Sequence, residues 1–214
     1  FVLATVAFFL IKTSDEPIKE IHSKSVAVLP FDNYSTAPED QFFSDGVTEV
    51  IIANLAKIQD LKVISRTSVM QYKNTEKTID KIGRELGVAH ILEGSIQRSG
   101  NQVRIVGQLI NAKTDEHIWA ETYDGSITNF FEFQSDIAIK IANALHTTIS
   151  EKEDELIRKI PTKNMEAWDT YLTGLNYFRK SNLRADYISA RTYFDAAFQL
   201  DNLFVEALAK SANC

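Results

Sequence analysis

The sequence predicts an α/β fold: a mixed five-stranded sheet in the order β-α-β-α-β-β-β-α, followed by a C-terminal all-α helical hairpin. Three observations lead to it. Ser25 to Phe31 is a short, mostly apolar run ended by Pro30 and Asp32-Asn33, as in a buried parallel strand and its turn. Phe43, Val47, Ile51 and Leu55 then recur every four residues. Beyond residue 90 the apolar period drops from 3.6 to two.

Taken in order, Ser25 to Phe31 is the first strand and Gln41 to Ile58 an amphipathic helix, with Val50 and Ile58 flanking its apolar stripe. Leu61 to Ser65 reads as the second strand, reached by a right-handed crossover. Arg66 to Asn74 makes a short helical turn. Ile79, Ile82, Gly83 and Leu86 mark a second helix capped by Thr78, and Gly87 stands where a helix end favours a left-handed residue. Leu92, Gly94 and Ile96, then Val103, Ile105, Gly107 and Leu109, alternate with polar residues on either side of Ser99-Gly100-Asn101 and predict a hairpin. His117 to Tyr123 is the last strand, after a turn at Lys113-Thr114-Asp115. A helix from Asn129 to Ile149 closes the unit, with Phe130, Phe133, Ile137, Ile141 and Leu145 on one face.

Four regions follow from this reading. Residues 1–12 are a partial transmembrane segment, 13–24 a linker, 25–152 the α/β domain and 161–214 a truncated helical repeat. Phe1 to Ile11 is apolar apart from Thr5, and eleven residues are too few for the roughly 20 that cross a bilayer. Three readings stand: the exit half of a membrane helix, the core of a signal peptide, or a buried element, with the first favoured. The start at Phe1 and the helical pattern up to Cys214 are read as a fragment open at both ends.

With 44% hydrophobic and 24% charged residues, the composition is that of an ordinary globular chain. A net charge of -6 offers no general attraction for a polyanion, so nucleic acid is not an expected partner. Cys214 is the single cysteine, so no internal disulfide forms. Motifs for phosphate loops, zinc helices, redox cysteines and nucleophile elbows are missing. His22, His90, His117 and His146 show no ligand spacing, and His90 and His117 are read as partly buried sheet residues. No catalytic, cofactor-binding or metal residue is nominated, and no cofactor is expected.

Ser44-Asp45-Gly46 is the least implausible catalytic candidate. Helix-start capping explains it more simply, because Ser and Asp accept bonds from free amides there and no base can be named for a nucleophile. Asp32-Asn33 lies at a strand's carboxyl end, where α/β sheets place ligands, although a turn is the simpler role. The acidic run Glu151, Glu153, Asp154 and Glu155, interleaved with Lys152 and Arg158, reads as a solvated helix face or linker. Trp119 and Tyr123 share a strand face and are expected to pack on the core.

Four segments in order, Ser25-Val26-Ala27-Val28-Leu29-Pro30-Phe31-Asp32-Asn33, Phe42-Phe43-Ser44-Asp45-Gly46-Val47-Thr48-Glu49, Glu85 to Ser95 and Glu116-His117-Ile118-Trp119-Ala120-Glu121, resemble the amino-terminal domain of TolB-like proteins over about residues 25–150. Gly174, Tyr177, Ala190, Phe194 and Ala197 resemble the small and aromatic positions of a tetratricopeptide repeat. The spacing from Gly174 to Ala190 is about four residues long for that repeat, which suggests a longer loop around Ser181 to Arg184, and Asp201-Asn202 stands where Asp-Pro is common.

The resemblance implies a domain that binds rather than catalyses, set behind a membrane helix and a cytoplasmic output such as a class III nucleotidyl cyclase or a winged-helix regulator. The expected function is a non-catalytic extracytoplasmic protein-interaction or sensory module of a membrane-anchored bacterial signalling protein. Its partners would be proteins, and the membrane through the N-terminal segment. It would sit on the cytoplasmic membrane as a single-pass protein, with residues 25–214 in the periplasm or outside the cell. Two alternatives remain: the C-terminal part of a cyclase whose catalytic domain lies upstream, and a secreted or envelope assembly factor.

Overall fold

The computed structural model describes residues 21–37, 40–180 and 183–214. The apolar segment Phe1–Ile11, most of the 13–24 linker and Ser181-Asn182 of the expected inter-helix loop lie outside the described residues. Among the described residues, no helix is long and apolar enough to cross a membrane.

The fold is mixed α/β, as expected, with a six-stranded sheet rather than five. The strands are β1 (Ser25–Val28), β2 (Asp32–Asn33), β3 (Lys62–Val63), β4 (His90–Ser99), β5 (Gln102–Asn111) and β6 (His117–Ser126). They run in the order β3-β1-β4-β5-β6, with β2 also paired to β4. β1 pairs in parallel with β3 and β4, whereas β4-β5 and β5-β6 are antiparallel.

Asp32-Asn33 is the extra strand and corrects the expectation of a simple turn. Pro30 has no N–H to give to the sheet, so the ladder breaks after the Leu29 N to Leu92 O bond and resumes in parallel at Asp32 beside Ser95 and Asn33 beside Ile96. Asn33 also turns the chain, since its Oδ1 accepts from the Ser35 N–H at 2.9 Å.

The helices are α1 (Asp40–Leu55), α2 (Arg66–Val69), α3 (Ile79–Leu86), α4 (Phe130–Ala144), α5 (Glu151–Arg158), α6 (Met165–Lys180), α7 (Arg184–Leu200) and α8 (Val205–Ala212). Thr78 precedes α3, but its side chain makes no capping bond, so its expected role as a cap through the hydroxyl is not met. Gly87 does take the left-handed φ, at 66°, and closes α3 with the Gly87 N to Arg84 O and Val88 N to Gly83 O bonds. Gly100 turns the β4–β5 hairpin at φ 57°.

The helix expected over Asn129–Ile149 ends at Ala144, which is a second correction. His146 takes a left-handed φ of 50°, and Thr147 N to Ala142 O with His146 N to Asn143 O forms the same closing pair as at Gly87. A histidine does there what the sequence signature reserves for glycine, so the stop is not legible as one. The acidic run then forms its own helix, α5, started by a capping box between Ser150 and Glu153.

Glu153 also accepts from the Gln59 N–H at 2.9 Å, tying α5 to the turn between α1 and β3. Hydrogen bonds from the Ser150 hydroxyl, the Gln59 amide and the Ser150 amide hold its carboxyl down at about 2. A carboxylate depressed in the folded state adds stability above its unfolded pKa and loses it as pH falls. Glu153 should therefore contribute fully above its ordinary 4.5 and progressively less toward about 2. Glu153→Gln, which keeps a capping residue, is expected to flatten the loss of thermal stability across that window; an unchanged pH slope would refute the assignment.

α1 and α4 pack together on one sheet face, with the Phe43 and Phe130 rings 4.6 Å apart. On β6, Glu121 and Tyr123 point to that face, because Lys140 and Asp136 of α4 bind them, and Trp119 and Tyr123 pack against the core as expected. α3 covers the other face: Glu93 of β4 lies opposite Gln108 of β5, one residue out of phase with Gly94 and Gly107, and shares a cleft with Ile79 and Ile82. His117 is exposed, which corrects its reading as partly buried; it starts β6, whose outer side has no neighbouring strand among the described residues.

The C-terminal helices share the main core. Trp168, Tyr171, Leu172 and Leu175 of α6 are buried with the α1 and α4 side chains. Gly46 of α1 makes the close approach possible, since a Cβ there would meet the Leu172 side chain at 2.5 Å. Gly174 does the same between α6 and α7, where Phe194 packs over it. Tyr171 against Phe194 and Phe178 against Tyr187 show the two helices running antiparallel.

Arg98, at the end of β4, joins the sheet to α6. It donates two bonds to Asp169, at 3.1 and 2.9 Å, lies 3.9 Å from Asp40 and sits over the Phe43 ring. Arg98→Ala should cost about 2 kcal/mol, the usual range for bonds to charged groups reduced for partial solvent exposure. A urea titration in which the variant matches the parent within error would show that this clasp is idle.

Candidate functional site

Ser44, Asp45 and Gly46 are not at the start of α1, which begins at Asp40, so the capping role expected for them is corrected. The Ser44 hydroxyl donates to the Phe31 carbonyl at 2.8 Å, and the Thr48 hydroxyl one turn later accepts from the Phe31 N–H at 3.0 Å. Together they satisfy both backbone groups of a residue that the Pro30 break has removed from the ladder. Asp45 holds Lys73 at 2.8 Å and accepts from the Gln41 amide. Each polar group of the motif is thereby committed to holding the fold. Thr48 was not singled out in the sequence, although its spacing of four from Ser44 puts the two on one helix face.

The sheet face under α3 carries a cleft of about 520 Å³ at the carboxyl end of β1. Strand carboxyl ends are where open α/β sheets place ligands, and Asp32 does line this cleft. Its floor is polar, formed by Glu93, Ser95 and Gln108 of β4 and β5, with Tyr34 and Lys77 also in its lining. Lys77 binds Glu85 at 2.7 Å, and the Tyr72 hydroxyl donates to the same carboxylate at 2.8 Å, which fastens the loop before α3.

Glu93 is half-buried. Burial raises its pKa most, Asp32 and Asp115 add to the rise, and His117 opposes it. Glu93 is invisible as a candidate in the sequence, because it alternates with apolar residues like any outward strand position. The cleft offers hydrogen-bond donors and acceptors to a polar ligand or an extended peptide. Its lining contains neither histidine nor cysteine, and the Ser95 hydroxyl has no base among its lining residues positioned by a hydrogen bond.

The sequence histidines are dispersed: His22 lies before β1, His90 opens β4, His117 opens β6 and His146 follows α4. Burial lowers the His90 pKa, and the Ser25 carbonyl beside its Nδ1 opposes the shift. Among the described residues, no group of three or more histidine, cysteine or acidic side chains could hold a metal ion.

Comparison with known proteins gives three kinds of likeness. A Rhizobium meliloti (strain 1021) protein named "Putative adenylate cyclase 3" is 42% identical over 155 residues, which is 72% of this chain and 26% of that protein. The chain thus spans about a quarter of the length of that relative. Among solved structures, TolB from Acinetobacter baumannii aligns with 56% of this chain and 28% of its own at 13% identity and a TM-score of 0.43. Lipoprotein GNA1162 from Neisseria meningitidis aligns with 56% of this chain and 97% of its own, at 16% identity and a TM-score of 0.43. The LpoB C-terminal domain from Escherichia coli aligns with 50% and 84%, at 19% identity and a TM-score of 0.40. The third likeness covers residues 22–140, from just before β1 through most of α4, and by it the chain belongs to the family of the second domain of HilA/YgeH-like transcriptional regulators.

Proposed function

We propose that the chain is a non-catalytic protein-interaction or sensory module of a membrane-anchored bacterial signalling protein. The observation that carries this reading is the fate of Ser44 and Asp45: the least implausible catalytic pair is consumed in bonds to the Phe31 carbonyl and to Lys73. Two signalling contexts support it. The family is named for transcriptional regulators, and the Rhizobium meliloti relative is named for a cyclase, so the same domain accompanies different outputs. A module shared by unlike outputs is expected to supply binding rather than chemistry.

In this reading residues 25–152 form the binding domain and residues 161–214 begin a tetratricopeptide array, with the close packing at Gly174, Ala190 and Phe194 in its support. The domain lies outside the cytoplasm behind the Phe1–Ile11 segment. Lys12, Lys19 and Lys24 favour the opposite orientation, but large folded domains translocate largely regardless of flanking charge. The 42% identity to the cyclase-named protein also supports a second reading, that a cyclase domain lies upstream in the intact protein. The upstream reading frame decides between a cyclase and a winged-helix output.

Two measurements test the proposal. The purified chain is expected to turn over neither ATP nor an activated ester; turnover that disappears in Asp45→Ala would refute it. In the intact protein, alkaline phosphatase fused after Ile149 should be active and green fluorescent protein dim. Bright fluorescence without phosphatase activity would place the domain in the cytoplasm and end the extracytoplasmic reading.

A further inference from the structure

One edge of the sheet is β6, ten residues long, and its outer side meets no other strand among the described residues. Exposed strand edges are usually blunted by proline, by lysine, by shortness or by a bulge, because a row of open backbone groups invites another chain. β6 contains neither proline nor lysine. Its one irregularity, opposite Leu109 and Ile110, lies at its start and leaves Trp119 to Ser126 in regular pairing with β5.

The phase of the hydrogen bonds shows which backbone groups stay open. The Ile127 N–H bonds the Asn101 carbonyl, and in an antiparallel ladder the bonded pairs then recur at every second residue. Gly125, Tyr123, Glu121 and Trp119 therefore spend their N–H and C=O groups on β5. Ala120, Thr122 and Asp124 turn theirs outward. All three residues are exposed, with side chains on the sheet face opposite α4.

Charge on this edge is balanced from within the chain. Glu121 and Asp124 are the only charged residues between Ile118 and Ser126. Glu121 is held by Lys140 at 2.6 Å, and Asp124 by Arg104 of β5 at 2.6 Å. An edge with no net charge to offer suits a strand of its own composition better than a charged peptide.

The strand is also self-complementary in one register. A two-fold axis at Thr122 puts Ala120 opposite Asp124 of the second copy and Glu121 opposite Tyr123 of the second copy. The outward groups then form two bonds for each of three residue pairs, about six in all, and Thr122 meets its own copy in a favourable cross-strand pair. Neighbouring axes fail. At Glu121 or Asp124 a carboxylate faces its own copy, and at Ala120 the Asp124 carboxylate faces Glu116. At Tyr123 two rings, each packed on Phe133 of its own chain at 5.4 Å between centroids, would crowd at the closest inter-strand spacing.

We infer that β6 pairs antiparallel with β6 of a second copy, about a two-fold axis at Thr122, so that two sheets join into one. This assignment stands on the sheet edge and does not depend on the proposed function.

Sedimentation equilibrium of the full chain, at concentrations up to about 100 μM so that a micromolar Kd is read, tests it directly. A reversible dimer is expected. Thr122→Lys and Thr122→Glu each set like charges opposite one another at the axis, and each should weaken association at least about tenfold. Mixed in equal amounts, the two variants should recover the dimer, because each Lys then faces a Glu. Thr122 is exposed, and circular dichroism checks that both variants are folded. A parent chain that stays monomeric, its edge covered from within or kept for another partner, would overturn the inference. So would association unchanged in both folded variants, as the apolar Phe1–Ile11 segment could produce, or a mixture that stays monomeric.

Discussion

Replacing Ile51 by alanine is expected to destabilise the chain by about 2–5 kcal/mol, the range for removing a buried aliphatic side chain and leaving a cavity. Ile51 is fully buried in α1, the helix that packs on β1, on α4 and on α6. Because all three neighbours are held by other contacts, the space cannot collapse cheaply. For a chain of this size, each kcal/mol moves Tm by roughly 2–4 °C, so a drop of at least about 5 °C should be read. The denaturation midpoint should fall at constant slope. Ile188→Ala on α7, where the side chain is 58% exposed, should change stability by less than about 0.5 kcal/mol and serves as the control. A midpoint unchanged in Ile51→Ala would contradict the packing described for α1.

Gly94→Val is the second large effect, and even Gly94→Ala should cost about 3 kcal/mol or more, the upper part of the range for overfilling a packed site. A Cβ on Gly94 would run into the Val106 carbonyl oxygen and the Phe31 ring, both closer than real Cβ contacts allow. Neither neighbour can give way. Val106 is held in the β4–β5 pairing, and the Phe31 backbone is bonded at its N–H by Thr48 and at its carbonyl by Ser44. Gly100→Ala makes the contrast: nothing stands within 4 Å of a Cβ there, and only the left-handed φ of 57° is strained, so about 1 kcal/mol is expected. Thermal unfolding of the two variants should rank them in that order. The reverse ranking would show that Phe31 is free to move.

These two sites also separate what pattern reveals from what contact reveals. Ile51 announces itself by its place in a four-residue repeat, whereas Gly94 looks like any alternate strand residue. Its requirement for hydrogen comes from the Val106 carbonyl across the hairpin and from Phe31, 63 positions earlier in the chain. Ser44 illustrates the same limit, since a hydroxyl near the start of a helix suggests a cap until the helix is seen to begin four residues before it. Glu93 was likewise silent and became a cleft residue through burial.

The sequence by itself determined the α/β class, the hairpin at Gly100, the left-handed close of α3 at Gly87 and the apolar stripe of α1, whereas the burial of that helix on nearly every side, with only Ala53 exposed, came from its packing. The features legible in the sequence depend on interactions within a few residues, where periodicity and backbone preference act directly. The tertiary structure alone decided that Asp32-Asn33 pairs with β4, that α4 stops at His146, and that Ser44 and Thr48 brace Phe31. Those outcomes depend on partners distant in the chain, whose positions follow only from how the elements pack.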